Sequence, residues 1–174
     1  MPGRKRQPRR RSAEFAARLS AIRLPFPARN GGLERAFIEW AQADADVKAF
    51  CKISETRHDF VRLRYVKEDG LPAFYSPDFL VRTVDAVFLV ETKAQEQVNN
   101  PNVQRKLKAA TAWCERINGL PEVDGQMRCR WHYVLLGERL FAEWRSKGAR
   151  LPALLDFARV RPLASAAAQG RLGF

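Results

Sequence analysis

Five consecutive apolar residues, Ala86-Val87-Phe88-Leu89-Val90, constrain the fold of this chain more than any other feature. The run lies between a Thr83–Asp85 turn and the polar triplet Glu91-Thr92-Lys93. A short, branched, unalternating run of this kind predicts a β-strand covered on both faces. Such a strand needs a layer above and a layer below, and the chain offers helices for both. From Leu33 to about Ala43, the positions Leu33, Ala36, Phe37, Trp40 and Ala43 follow helical spacing, and Asp44–Asp46 ends the pattern. A second helix opens at Asn99-Asn100-Pro101, with Asn100 as N-cap and Pro101 in the first turn. Its apolar stripe is Val103, Leu107, Ala110, Cys114 and Ile117, and Asn118-Gly119 followed by Pro121 stops it. Leu140–Ala158 reads as one or two helices around Pro152.

Further strands fill the intervals. Val47–Ile53 either alternates as a strand or continues the first helix. His58–Val66 is the clearer strand, with Val61, Leu63 and Tyr65 on one face and Arg62 and Arg64 on the other. Lys67-Glu68-Asp69-Gly70 has the chemistry of a tight reversal, after which a strand signal starts near Ala73 and runs through Phe79-Leu80-Val81. Trp131–Leu136 reads as one more buried strand. The order helix, strands, helix, strand, helix predicts an α/β architecture, a mixed β-sheet flanked by helices on both sides. Residues 1–30 read as a basic, Arg- and Pro-rich arm with a short helix around Ser12–Ile22. Residues 31–160 read as the folded domain, and 161–174 as a frayed Ala- and Gly-rich tail.

The charge balance bears on partners. Lys and Arg number 31 against 19 Asp and Glu, a net charge of +12. Met1–Ser12 holds six of the bases and no acid, yet the remaining 25 bases still outnumber the 19 acids. A body that is basic without its arm predicts attraction to polyanions, nucleic acid first. Cys51, Cys114 and Cys129 are odd in number, form no CxxC pair and have only His58 and His132 to join them. That argues against a zinc set or a disulfide scaffold and for a reducing compartment. No apolar run approaches the eighteen or so residues that span a bilayer, so no membrane partner is expected.

The chemistry-bearing stretch is Ser76-Pro77-Asp78-Phe79-Leu80-Val81, followed thirteen residues after Asp78 by Glu91-Thr92-Lys93. Pro77 holds Ser76 extended, so the chain enters the next strand at a defined point and Asp78 sits at its start. Glu91 and Lys93 are two apart and therefore share a strand face. If the two strands are neighbours, Asp78 and Glu91 meet at one sheet edge and form a site for a hard cation such as Mg²⁺. Lys93 beside them supplies a charge that orients a water or stabilises developing phosphoryl charge. The triplet alone is weak, since Asp46-Val47-Lys48 is another of the same form; the upstream Pro77-Asp78 and the buried strand give it meaning. The competing reading is a surface ion-pair cluster at strand ends.

These residues resemble the PD-(D/E)xK nuclease superfamily, with its restriction-endonuclease-like fold. The wider segments Gly31-Gly32-Leu33-Glu34-Arg35-Ala36-Phe37, Tyr75-Ser76-Pro77-Asp78-Phe79 and Leu89-Val90-Glu91-Thr92-Lys93 are similar to the C-terminal nuclease domain of type III restriction enzyme Res subunits. The resemblance covers about residues 31–137 and is strongest over 74–118. It implies a Mg²⁺-dependent endodeoxyribonuclease, with Mn²⁺ as a substitute, from a restriction or defence system in a bacterial cytoplasm. The metal set it implies is Asp78, Glu91, the Thr92 carbonyl and Glu34, with Glu39 as the fallback for Glu34. Lys93 is the implied catalytic lysine.

An acid in the first helical turn is also favoured by the helix dipole alone, which is the plain alternative for Glu34. DNA is the implied partner, with a helicase or translocase, a methyltransferase subunit and a second copy of the chain as further ones. No GxxxxGK[ST] loop occurs, so ATP-driven translocation is not assigned to these residues. Phosphate contacts are expected from Arg62 and Arg64 and, on the helix after the triplet, from Gln104, Arg105, Lys106 and Lys108, with Lys106 the best placed. The bland alternative for these bases is a solvated polar face. The rival function is a nucleic-acid-binding or docking module that has kept the fold and lost cleavage. A basic scaffold that binds RNA through its arm is a third.

Overall fold

The computed structural model describes residues 32–58, 60–121 and 129–160. The expected arm, its helix over Ser12–Ile22 and the tail lie outside the described residues. Helix α1 (Gly32–Ala43) buries Phe37, Ile38 and Ala41. It ends where the Asp44 carboxylate turns back on the chain, accepting from the N–H of Asp46 at 3.0 Å and of Leu151 at 2.7 Å. Strand β1 (Ala49–Lys52) follows, so the ambiguous Val47–Ile53 segment holds a short strand rather than a continuation of the helix.

The expected strand over His58–Val66 is shorter than its alternation suggests: Glu55–Arg57 form a turn, and β2 spans Leu63–Val66. His58 causes part of this, because its Nδ1 accepts the Ser54 N–H at 2.9 Å and holds the preceding turn closed. The expected single strand from Ala73 to Val81 is two strands, β3 (Pro72–Tyr75) and β4 (Phe79–Arg82). Ser76-Pro77 separates them, since proline has no N–H for a ladder and holds its predecessor in an extended turn. β2 and β3 form an antiparallel hairpin of their own, paired Leu63 with Tyr75 through Val66 with Pro72. Gly70 reverses the chain with a φ of 81°, the left-handed conformation that glycine adopts without strain.

Strand β5 (Ala86–Lys93) carries the five-residue apolar run and is followed by a short 3-10 turn (Gln95–Gln97), α2 (Pro101–Asn118), β6 (Arg130–Gly137), α3 (Glu138–Ser146) and α4 (Leu151–Ala158). The main sheet runs β1-β4-β5-β6. β1 with β4 and β4 with β5 are antiparallel, and β5 with β6 is parallel across the α2 crossover. The Asn100 side chain caps α2 by accepting the Asn102 N–H at 2.9 Å. At its other end the Asn118 amide bonds both backbone groups of Trp131, at 2.8 Å each, and so docks the helix on β6.

The sheet is covered on both faces. On one, Phe79, Val81, Phe88, Val90, Val134 and Leu136 pack with α1, α3 and α4; Phe37 stacks on Phe79 at 4.6 Å. On the other, Leu80, Val87, Leu89 and Tyr133 pack with Ala110 and Cys114 of α2 and with Leu63 and Tyr75 of the hairpin. This mixed sheet between helices is consistent with a restriction-endonuclease-like fold. Cys51 and Cys114 are buried free thiols, and burial pushes the Cys114 thiol up to about 12. Among the described residues no helix is long and apolar enough to cross a membrane.

Candidate active site

The strand registers bring the chemistry-bearing residues to one end of the sheet. Phe79 pairs with Val90 in the antiparallel β4–β5 ladder, so one step outward along each strand Asp78 meets the Glu91-Thr92 peptide. Lys52 pairs with Phe79 from the other side, and the Ile53 N–H donates to the Asp78 carbonyl at 2.8 Å, which fixes the backbone of Asp78. Thr92 then fixes its side chain, donating both its backbone N–H, at 2.7 Å, and its Oγ1 hydroxyl, at 2.8 Å, to Asp78 Oδ2. Oδ1 is left for a further ligand.

Glu91 is only 3% exposed, an extreme burial for an acid. Lys93 Nζ lies 2.7 Å from Glu91 Oε1 and donates to the Thr92 carbonyl at 3.2 Å. Glu91 Oε2, by contrast, is buried with no hydrogen-bond partner. Burial, then the charge of Asp78, raise the Glu91 carboxyl, while Lys93 and Lys106 pull it part of the way back. For Lys93, burial works against the charge, but Glu91, Asp78 and Glu34 outweigh it and the net shift is upward. The lysine is thus held charged, suited to orienting and stabilising negative groups rather than to taking a proton.

Glu34, in the first turn of α1, is 2.7 Å from Lys52 Nζ, each side chain about a quarter exposed. Lys52 pairs with Phe79, the neighbour of Asp78, so Glu34 stands at the same end of the sheet. Glu39 lies one turn on, half-exposed, and pairs with Arg35 at 3.2 Å and with Arg145 of α3 at 3.6 Å. The decoy triplet is engaged structurally, with Asp46 paired to Arg150 at 3.1 Å and Lys48 donating to the Ala45 carbonyl.

The donor set can be tested against the metal that the resemblance implies. Among the described residues no three His, Cys, Asp or Glu side chains come together as a ready-made metal cluster. This end of the sheet carries two carboxylates, Asp78 and the orphaned Glu91 Oε2, and the Thr92 carbonyl, which shares the Lys93 ammonium with Glu91 Oε1; all are hard oxygen donors. A buried carboxylate oxygen without a donor is costly unless a cation or water meets it. This set suits Mg²⁺, which binds through one or two carboxylates and keeps several waters.

The expected phosphate-contacting residues are dispersed. Arg62 and Arg64 are exposed on the outer face of the hairpin, and Arg105 and Lys108 are exposed on α2. Gln104 turns back to donate to the Val98 carbonyl at 2.8 Å. Lys106 alone of these reaches toward the acids: its Nζ lies 5.1 Å from the Tyr75 ring and 5.8 Å from the Tyr65 ring, and it acts on Glu91. Sequence reasoning missed three contributors, the Lys52 partner of Glu34, the Thr92 hydroxyl on Asp78, and Tyr75, whose hydroxyl donates to the Lys106 carbonyl at 2.8 Å. Alternation within β5 gave no sign of the Thr92 contact, because Asp78 reaches it from the neighbouring strand.

Residues 51–119 match the family model described as "TnsA-like endonuclease N terminal", a restriction-endonuclease-like family. The matched segment contains Asp78, Glu91 and Lys93 and ends at the close of α2, while Glu34 and β6 lie outside it. Comparison with curated proteins and with solved structures found no match.

Proposed function

We propose that this chain is a metal-dependent DNA endonuclease that hydrolyses phosphodiester bonds at the Asp78, Glu91 and Lys93 end of the sheet. The observation that carries the reading is the buried Glu91 carboxylate, with one oxygen on Lys93 and the other without a partner, beside an Asp78 held by two bonds from Thr92. The similarity to the TnsA-like endonuclease N-terminal family supports a nuclease.

Asp78, Glu91 and the Thr92 carbonyl would hold Mg²⁺ or Mn²⁺, with Glu34 directly or through water. When bound, the ion supplies Lewis acidity that lowers the pKa of water and offsets phosphoryl charge. The remaining work belongs to side chains. Lys93, charged and tethered to Glu91, orients the attacking water and stabilises negative charge on the phosphoryl group. Lys106, seated on two tyrosine rings, offers a second cation for the phosphate backbone. The Res-like segments around Glu34, Asp78 and Glu91 support a place in a restriction or defence system, with a motor or methyltransferase subunit as partner.

The experiment is incubation of supercoiled plasmid with purified protein in Mg²⁺, Mn²⁺ or EDTA. Nicking or linearisation with either metal and none in EDTA is the expected result. Tight, salt-sensitive binding with no cutting in either metal would replace this reading with that of an inactive docking module.

A further inference from the structure

The β2–β3 hairpin turns one face into the core, and among the described residues its other face is exposed. Leu63 and Tyr75 are buried against α2, while Arg62, Arg64, Val66 and Phe74 alternate onto the opposite side. Phe74 is 59% exposed and Leu71, at the reversal, 56%. Arg64 stands directly across from Phe74, and the Arg62 guanidinium lies 5.3 Å from its ring centre. With Val66 at 51%, three exposed apolar side chains share one short ribbon, and it is such a cluster, rather than a single exposed side chain, that marks a contact surface.

The ribbon is also braced. The Tyr75 hydroxyl bonds α2, the Glu68 N–H donates to Asn102 Oδ1 at 3.0 Å, and the Lys67 N–H donates to the Leu71 carbonyl at 2.9 Å. Tyr75 ends the ribbon three residues before Asp78, so the ribbon is joined to Asp78, just before β4, through Ser76-Pro77 alone.

We propose that the β2–β3 ribbon is a groove-contacting element for duplex DNA. In this arrangement Phe74 makes apolar contact with base edges, and Arg62 and Arg64 bind the flanking phosphates. A two-stranded ribbon has the width that the major groove of B-DNA admits. The stem face carries two arginines and no acid, which suits a polyanion rather than an acidic-poor protein surface. The acids sit at the turn, where Asp69 is 3.1 Å from Lys67, so the stem and not the tip meets the DNA. The inference takes its substrate from the nuclease reading, but binding is measured apart from cleavage.

The experiment follows binding of a fluorescein-labelled duplex by the full chain in EDTA, over a series of salt concentrations. Phe74→Ser is expected to weaken binding about tenfold without changing the salt slope, since it removes apolar contact and no charge. Arg62→Gln with Arg64→Gln is expected to lower the slope by about 1.8, roughly 0.9 per phosphate released. Phe157→Ser, at an equally exposed phenylalanine on α4, is expected to bind as the wild type does. Wild-type affinity in Phe74→Ser, or an equal loss in Phe157→Ser, would overturn the proposal. Plasmid cleavage in Mg²⁺ separates the two readings. A Phe74→Ser protein that cuts and binds like wild type sinks only the ribbon. A wild-type protein that binds through Phe74 and never cuts sinks only the nuclease.

Discussion

Asp78 and Thr92 are joined twice, by the threonine's backbone N–H at 2.7 Å and its hydroxyl at 2.8 Å, both on the same carboxylate oxygen. The consequence is a division of labour within one side chain. Oδ2 is fixed by the neighbouring strand, and Oδ1 is left to work. Thr92→Val keeps the shape and the backbone bond but removes the hydroxyl. It is expected to cost about 1–2 kcal/mol of stability and to reduce cleavage less than Asp78→Ala does. Urea denaturation beside a plasmid assay checks both. Wild-type behaviour in Thr92→Val would mean that the hydroxyl positions nothing.

Glu91 sets a pH dependence whose sign can be worked out. Burial and Asp78 raise its carboxyl above 4.5, its value in an unfolded chain. The folded state therefore holds this proton more tightly than the unfolded state. The associated stability is complete below 4.5 and is lost as pH rises through the folded value. In EDTA the wild type should thus lose stability relative to Glu91→Gln as the pH rises above 4.5. Lys93 stays charged across that window, so losing its partner shifts the comparison by a constant and leaves the slope as the readout. Urea midpoints that run parallel with pH would contradict the assignment.

Metal binding should appear without any cleavage. A ligand that binds only the folded state stabilises it by about 2.7 kcal/mol at a hundred times its Kd. Mg²⁺ or Mn²⁺ is expected to raise the wild-type Tm in a concentration-dependent way and to leave Asp78→Ala with Glu91→Gln unmoved. Equal shifts in both would place the ion elsewhere.

The Glu34–Lys52 pair, 2.7 Å long and a quarter exposed on each side, should couple weakly. A double-mutant cycle of Glu34→Gln and Lys52→Met is expected to return about 0.5–1 kcal/mol. If Glu34 also supports the metal, Glu34→Gln raises the Mg²⁺ needed for half-maximal cleavage by about tenfold. Glu39→Gln, whose partners lie on α1 and α3, should not.

Local signals carried much of this fold. The unbroken apolar run marked β5 at the centre of the sheet, and Asn100-Pro101 marked the start of α2, because burial on both faces and capping are written in adjacent residues. Pro77 also lay in plain view. Where one continuous strand is expected, it instead separates β3 from β4, because proline offers no N–H to a ladder and breaks the pairing between two good strand signals. What local pattern could not supply was pairing at long range. Lys52 reaches Glu34 because α1 packs on Phe79, over whose ring Lys52 lies, and Thr92 reaches Asp78 because of the β4–β5 register. Arg62 and Arg64 were legible as exposed, but that Phe74 stands among them follows from the hairpin register.

The most direct test compares the two lysines that end an acid-x-Lys triplet, Lys93 and Lys48. Plasmid cleavage in Mg²⁺ is measured for the wild type, Lys93→Ala and Lys48→Ala, each checked for an unchanged fold by circular dichroism. The expected result is metal-dependent cutting by the wild type and by Lys48→Ala, with Lys93→Ala reduced by at least about a hundredfold, the scale of one lost electrostatic stabiliser. Cutting by Lys93→Ala at the wild-type rate would contradict the account, because the reaction would then not be run by the Asp78, Glu91 and Lys93 end of the sheet.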